Sequence, residues 1–218
     1  HNSLEYIRIV SETMKRATID KDRFVGDPNF VEIPLAKLTS KKYAHDVSKL
    51  IEKGEKAAVE RLNPFYESKD TTQVSVVDKE GNAFSMTHSL GMPSGVITEG
   101  LGFMYNGCMG VFDPRPGRAG SLSPGKSRFS SICPSILFDQ GKLKMVIGAP
   151  GGTHIVMGVL QAILNVVDFK MSMQDAVSAP RFSGNSPLID VSNRIPRFIT
   201  EELEKMGYPV GRWPQSYC

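Results

Sequence analysis

Apolar residues recur at helical spacing near the start of the chain. Leu4, Ile7, Val10 and Met14 predict a helix over residues 4–16. Gly26-Asp27-Pro28 reads as a turn. Ser40 then caps a second helix, with Ala44, Val47, Leu50 and Ile51 on one face. Residues 53–70 are mostly polar and read as a linker or exposed tail. From Thr71 the period drops to two. Residues 72–78 and 83–89 are strand candidates joined by Lys79-Glu80-Gly81-Asn82, a hairpin signal. Residues 91–128 are rich in Gly, Pro and Ser, and so long a loop is often functional. A second hairpin is expected from 132–138 and 143–149 across Asp139-Gln140-Gly141-Lys142. The strongest helical pattern follows Gly151-Gly152-Thr153, with Ile155, Val159, Ile163 and Val166 on one face. Ser172 with Asp175 forms a capping box for a short helix, and a last helix over 197–206 ends at Gly207. No internal repeat interrupts this order of helices, strands and helices. Sheets covered by helices, an α/β (α+β) architecture, suit it.

Composition narrows the class. The hydrophobic fraction is 40% and the charged fraction 22%, as in ordinary globular proteins. Net charge is +3, with no basic block, so nucleic acid is not an expected partner. No apolar run approaches the ~18 residues of a membrane span. Cys108, Cys133 and Cys218 are odd in number and lack metal-type spacing, which argues against a disulfide framework or a metal site. The first residue is His rather than Met and no signal peptide is visible, so the compartment stays open. The chain reads as part of a longer gene product.

Thr71-Thr72 opens a strand directly behind the polar segment Glu67-Ser68-Lys69-Asp70. A threonine hydroxyl needs a base beside it to act as a nucleophile. One solution cuts the chain just before it and uses the freed α-amino group. Its ordinary pKa near ~8 suits that task. The same dipeptide is also simple β-propensity. Gly151 and Gly152 precede a helix, where backbone N–H groups can meet a developing oxyanion; a plain strand-to-helix turn is the other reading. Ser130-Ser131 offers neutral hydroxyls or is an exposed loop pair.

Taken together, these segments resemble a known family. Residues Thr71 to Ala83 resemble the start of the small subunit of γ-glutamyltransferases. Pro150-Gly151-Gly152-Thr153, Ser130-Ser131 with its following proline, and Ala179-Pro180-Arg181-Phe182 resemble its later motifs. Gly26-Asp27-Pro28-Asn29-Phe30-Val31 resembles the end of the large subunit. The resemblance implies the four-layer αββα sandwich of N-terminal-nucleophile hydrolases. It assigns residues 1–70 to the large-subunit region and 71–218 to the small catalytic subunit, both within one structural domain. It implies self-cleavage at Asp70-Thr71, Thr71 as nucleophile and Gly151 and Gly152 as oxyanion hole. Ser89 falls where the family has a threonine that hydrogen-bonds the nucleophile. Ser130 and Ser131 match a pair that binds the substrate α-carboxylate, and Thr87 matches a second family threonine, though it also suits strand packing. No metal or organic cofactor is implied. The expected partners are the rest of the large subunit, a small-molecule amide or γ-glutamyl substrate, and a possible second copy of such a unit.

The departures concern substrate. The family holds the glutamate amino group with an asparagine where this chain has Gly91, a glutamine where it has Cys108, and paired acidic residues where it has Gly110-Val111. An ammonium left unpaired in a closed site would be costly. The expected activity is therefore a γ-glutamyltransferase-like amidohydrolase or acylase with altered substrate choice. A true γ-glutamyltransferase acting on glutathione and a non-catalytic relative are the alternatives. His154, His88, Lys126 and Arg128 are weaker candidates: the first two for lining the site or facing away from it, the last two for attracting an anion or lying in a solvated loop.

Overall fold

The computed structural model describes residues 1–60 and 71–213. In chain order it has α1 (Leu4–Phe24), α2 (Leu35–Leu38), α3 (Lys41–Glu52), β1 (Thr71–Val77), β2 (Ala83–Ser89), β3 (Pro93–Ile97) and β4 (Met104–Asn106). These are followed by β5 (Ser135–Asp139), β6 (Lys142–Ile147), α4 (Ile155–Val167), α5 (Met173–Ser178), β7 (Phe182–Ser183), β8 (Ile189–Ser192), α6 (Arg197–Lys205) and β9 (Val210–Trp213). No helix among the described residues is long and apolar enough to cross a membrane.

The residues cluster into two units that do not divide at residue 70. Among the described residues, one gathers 1–60, the segment Phe112–Phe129 and 177–213. There α1 begins at Ser3, whose side chain accepts from the Tyr6 N–H. Its buried stripe is Ile7, Ser11, Met14, Lys15 and Thr18. With Glu12, also buried, four of these six residues are polar, so the apolar spacing fades after Met14 while the helix runs on to Phe24. Lys15 is buried and its Nζ donates to the carbonyls of Ser186, Pro187 and Leu188 at 2.9, 2.7 and 3.3 Å. Burial pushes its pKa down. β8 pairs antiparallel with β7 and parallel with β9, and Phe182, Ile189, Val191 and Leu203 are fully buried around them.

The other unit carries three antiparallel hairpins and α4. β1 and β2 pair from Thr71↔Ser89 to Val77↔Ala83. Their turn is held by Asp78, whose Oδ1 accepts the N–H groups of Glu80 and Asn82 at 3.0 and 2.8 Å. Residues opposite one another share a face, so Thr71, Gln73 and Ser75 stand with Ser89, Thr87 and Ser85. β5 pairs with β6, and Met145, Val166 and Ala176 form a core with Leu137, Ile147, Ile163 and Met171. The expected loop over 91–128 contains the short hairpin β3–β4 and a 3-10 turn at Cys108–Val111. The hairpin's register shifts between Pro93 and Ile97, which blurs the alternation a sequence pattern relies on.

Candidate functional site

The site grows from the open end of the first hairpin. Thr71 starts β1 and Ser89 ends β2 as its direct partner. Their hydroxyl oxygens, Thr71 Oγ1 and Ser89 Oγ, lie 2.9 Å apart, a hydrogen bond in which either can donate. Ser89 Oγ also accepts the Gly91 N–H at 2.9 Å. Gly91 has a φ of 68°, and this left-handed turn swings the chain out of β2 and folds it back beneath the Ser89 hydroxyl. The β-pairing and this turn fix where the Ser89 oxygen sits against Thr71.

β6 runs out into Gly148-Ala149-Pro150-Gly151-Gly152 and then into α4 through a 3-10 turn at Gly152–His154. Gly151 has φ 132° and Gly152 φ 57°, conformations that side chains of L residues rarely adopt. Among the described residues no side chain caps the start of this turn or of α4. The first N–H groups of a helix have no intrahelical acceptor, so a helix start of this kind is suited to anionic oxygen. Ser131 Oγ donates to the Gly152 carbonyl at 2.7 Å and fixes the plane of the following peptide. Ser130 is exposed, and its Oγ accepts the Ile132 N–H at 3.3 Å, which leaves its own hydrogen for another acceptor.

Thr87 is buried and its hydroxyl donates to Gln73 Oε1. That bond lies within the hairpin, between facing residues of β1 and β2. His88 alternates with Thr87 and Ser89 along β2 and is exposed. His154 is buried. Lys126 and Arg128 belong to the other unit, where they donate to the carbonyls of Ala119 and Phe129 at 2.8 and 3.0 Å. Asp70 and the polar tail before it lie outside the described residues.

At the altered positions the side chains are apolar or tied down. Gly91 is buried. The Cys108 thiol donates to the Leu90 carbonyl at 3.4 Å. The Met92 carbonyl accepts the Gly107 N–H, and its sulfur stands 3.4 Å from where a Cβ on Gly110 would be. Met92 was not among the residues singled out from sequence; its neighbourhood to Gly107 and Gly110 depends on a turn that no local pattern encodes. Gln73 and Gly148 were missed too. The available signal was their position: two residues after Thr71 on the same strand face, and at the entrance to the Gly-Gly loop.

Comparison with known proteins places this arrangement. Residues 1–217 match the family model "Gamma-glutamyltranspeptidase". An "Acylase ACY 1 proenzyme" from Pseudomonas sp. (strain SE83) is 35% identical over 98% of this chain and 38% of its own length. A "Glutathione hydrolase proenzyme" from Pseudomonas aeruginosa is 33% identical over 96% of this chain and 41% of its own. The crystal structure of cephalosporin acylase from Bacillus halodurans superimposes with a TM-score of 0.80 at 24% identity, over 98% of this chain and 43% of that one. The chain thus spans less than half of these relatives. With the family model matched over all but its last residue, it belongs to the gamma-glutamyltranspeptidase family.

Proposed function

We propose that this chain is the catalytic portion of a self-processed threonine amidohydrolase with acylase-type specificity. The observation that carries the reading is the 2.9 Å hydrogen bond between Thr71 and Ser89 at the start of β1. A threonine at a strand's first position can be freed as an N-terminus without breaking the hairpin. While the Asp70–Thr71 peptide is intact, the Thr71 nitrogen is an amide and cannot accept a proton. Attack of Thr71 Oγ1 on the Asp70 carbonyl and hydrolysis of the resulting ester would release a free amine. That amine then takes the Thr71 hydroxyl proton as the oxygen attacks a substrate amide, and returns it to the leaving amine. Gly151 and Gly152 N–H groups would hold the oxyanion, and water would cleave the threonyl ester. The whole enzyme is expected to be an αββα sandwich completed by the rest of the large subunit. The exposed apolar positions Val76 and Phe84, 50% and 52% accessible, support that partner.

Specificity follows from the altered positions. Gly91, Cys108 and Gly110-Val111 supply no carboxylate and no side-chain amide for an ammonium, while Met92 brings a thioether beside Gly110. An acyl group without a free α-amine, such as a dicarboxylic half-amide, suits this shell. A glutathione-hydrolysing role is the second reading, favoured by the likeness to the Pseudomonas aeruginosa glutathione hydrolase. The test compares kcat/KM of the full-length mature protein for a γ-glutamyl anilide and its des-amino glutaryl analogue. The glutaryl compound is expected to win. A tenfold preference for the γ-glutamyl compound, about 1.4 kcal/mol in the transition state, would favour the second reading instead.

A further inference from the structure

We infer that Gln73 is a positioning residue that ties the strand carrying Thr71 to the loop carrying Gly151 and Gly152. The inference rests on the catalytic reading of those three residues. Gln73 sits on the same face of β1 as Thr71, two residues on. Its Nε2 lies 2.9 Å from the Val74 carbonyl, 3.1 Å from Ser75 Oγ and 3.0 Å from Ser85 Oγ. Its Oε1 accepts the Thr87 hydroxyl. Both ends of the amide are therefore engaged, and the plane cannot rotate without breaking bonds at each end.

The amide lies directly on the backbone of Gly148. A Cβ added there would stand 2.2 Å from Gln73 Oε1, 2.4 Å from Cδ and 2.7 Å from Nε2. A side chain at 148 would therefore have to displace the hydrogen-bonded amide of Gln73. Beside this contact Ser85 Oγ donates to the Ile147 carbonyl at 3.1 Å. The hydrogen bonds run from Thr87 through Gln73 and Ser85 into the end of β6, where the Gly-Gly loop departs. An ordinary sheet could hold these strands with apolar side chains. A hydrogen-bonded amide adds a fixed distance and angle between the nucleophile's strand and the oxyanion loop. Small misplacements of reacting groups are costly, about 100-fold for ~1 Å.

The experiment measures full-length wild type, Gln73→Glu, Gly148→Ala and the double variant Gln73→Ser/Gly148→Ala. Each is assayed for self-cleavage by intact mass, for titrated active sites by acyl-enzyme burst, and for kcat, KM and Tm. Gln73→Glu keeps the shape and removes every donor. It is expected to lower kcat per titrated site by about tenfold or more, with KM little changed. Gly148→Ala, which displaces the amide, is expected to do the same, and the double variant, which lacks the same contact, to be little worse than Gly148→Ala alone. A Gln73→Glu protein that folds by near-UV circular dichroism but does not cut itself counts for the proposal, because cleavage uses the same groups. Unchanged kcat per site in Gln73→Glu overturns it, whatever happens to Tm, and so does a double variant at least about tenfold worse than Gly148→Ala. Wild type that forms no acyl-enzyme at Thr71 fails the catalytic reading itself, a result separate from either.

Discussion

The Ser131 hydroxyl donates its single hydrogen to the Gly152 carbonyl at 2.7 Å. A carboxylate only accepts, so an oxygen that has already given its hydrogen away has nothing to offer one. Ser130, which accepts from Ile132 N–H, keeps its hydrogen for an acceptor. On the proposed reading the two adjacent serines divide their work. Ser131→Ala is expected to lower kcat by about tenfold, the scale of one lost hydrogen bond, with KM nearly constant. Ser130→Ala is expected to raise KM for carboxylate-bearing substrates and leave kcat close to wild type. Steady-state kinetics on a substrate and its neutral amide analogue separates the two. Equal effects from both serines would return the pair to a shared carboxylate grip.

Gly151 and Gly152 make a second prediction. Their φ values of 132° and 57° are ones that L side chains rarely adopt, so alanine there strains the loop. Either substitution is expected to lower kcat by roughly 100-fold or more, with a smaller rise in KM, because the donors act mainly on the transition state. Single-turnover measurement of acyl-enzyme formation checks this. A correctly folded and processed variant with normal kcat would remove the pair from the site.

Much of this geometry was legible because it is local. The Asp78–Asn82 turn, the Ser40 cap of α3 and the start of α4 after Gly-Gly each depend on residues a few positions apart, and the structure has all three. The contacts that were not legible join distant segments. Gln73 reads as a polar residue in a strand until Gly148 is seen against it. The short strands β7, β8 and β9 escape periodicity because they are two to four residues long, and β8 is buried at every position, which removes its alternation. Thr87 matched a family position, but its burial and its bond to Gln73 follow only from register.

Acid should loosen the turn at Gly26-Asp27-Pro28. The Asp27 carboxylate accepts the Ser127 N–H at 2.7 Å and the Asn29 N–H at 2.9 Å. These backbone bonds, Ser127 first, hold its pKa below the usual carboxylate value. A depressed native pKa stabilises the fold fully above the unfolded value of about 3.9, and that contribution is lost as pH falls through the lower native one. Asp27→Asn is thus expected to be less stable than wild type at neutral pH, with the gap closing below about pH 4. Urea midpoints measured across the acid range test this. A gap independent of pH would mean that the loss comes from packing, for instance of Gly26 against the Ala119 carbonyl.

The last prediction concerns Ser89 in self-cleavage. Its oxygen contacts both Thr71 Oγ1 and the Gly91 N–H, so it can orient the Thr71 hydroxyl only while the Gly91 turn holds it in place. Ser89→Ala removes one partner of Thr71 and also takes away the acceptor of the buried Gly91 N–H. Cleavage before Thr71 is expected to slow by about 100-fold, the low end of what a group that assists proton transfer contributes. Ser89→Thr keeps the hydroxyl and should cleave at close to the wild-type rate. Thr71→Ala should stay whole, and Thr71→Ser should still cut, because serine retains the attacking oxygen. Intact mass followed over time distinguishes these outcomes. A Thr71→Ala chain that breaks at the same bond would show that the cut comes from elsewhere. A Ser89→Ala chain that matures normally would leave the 2.9 Å contact as a strand-end hydrogen bond with no part in the chemistry.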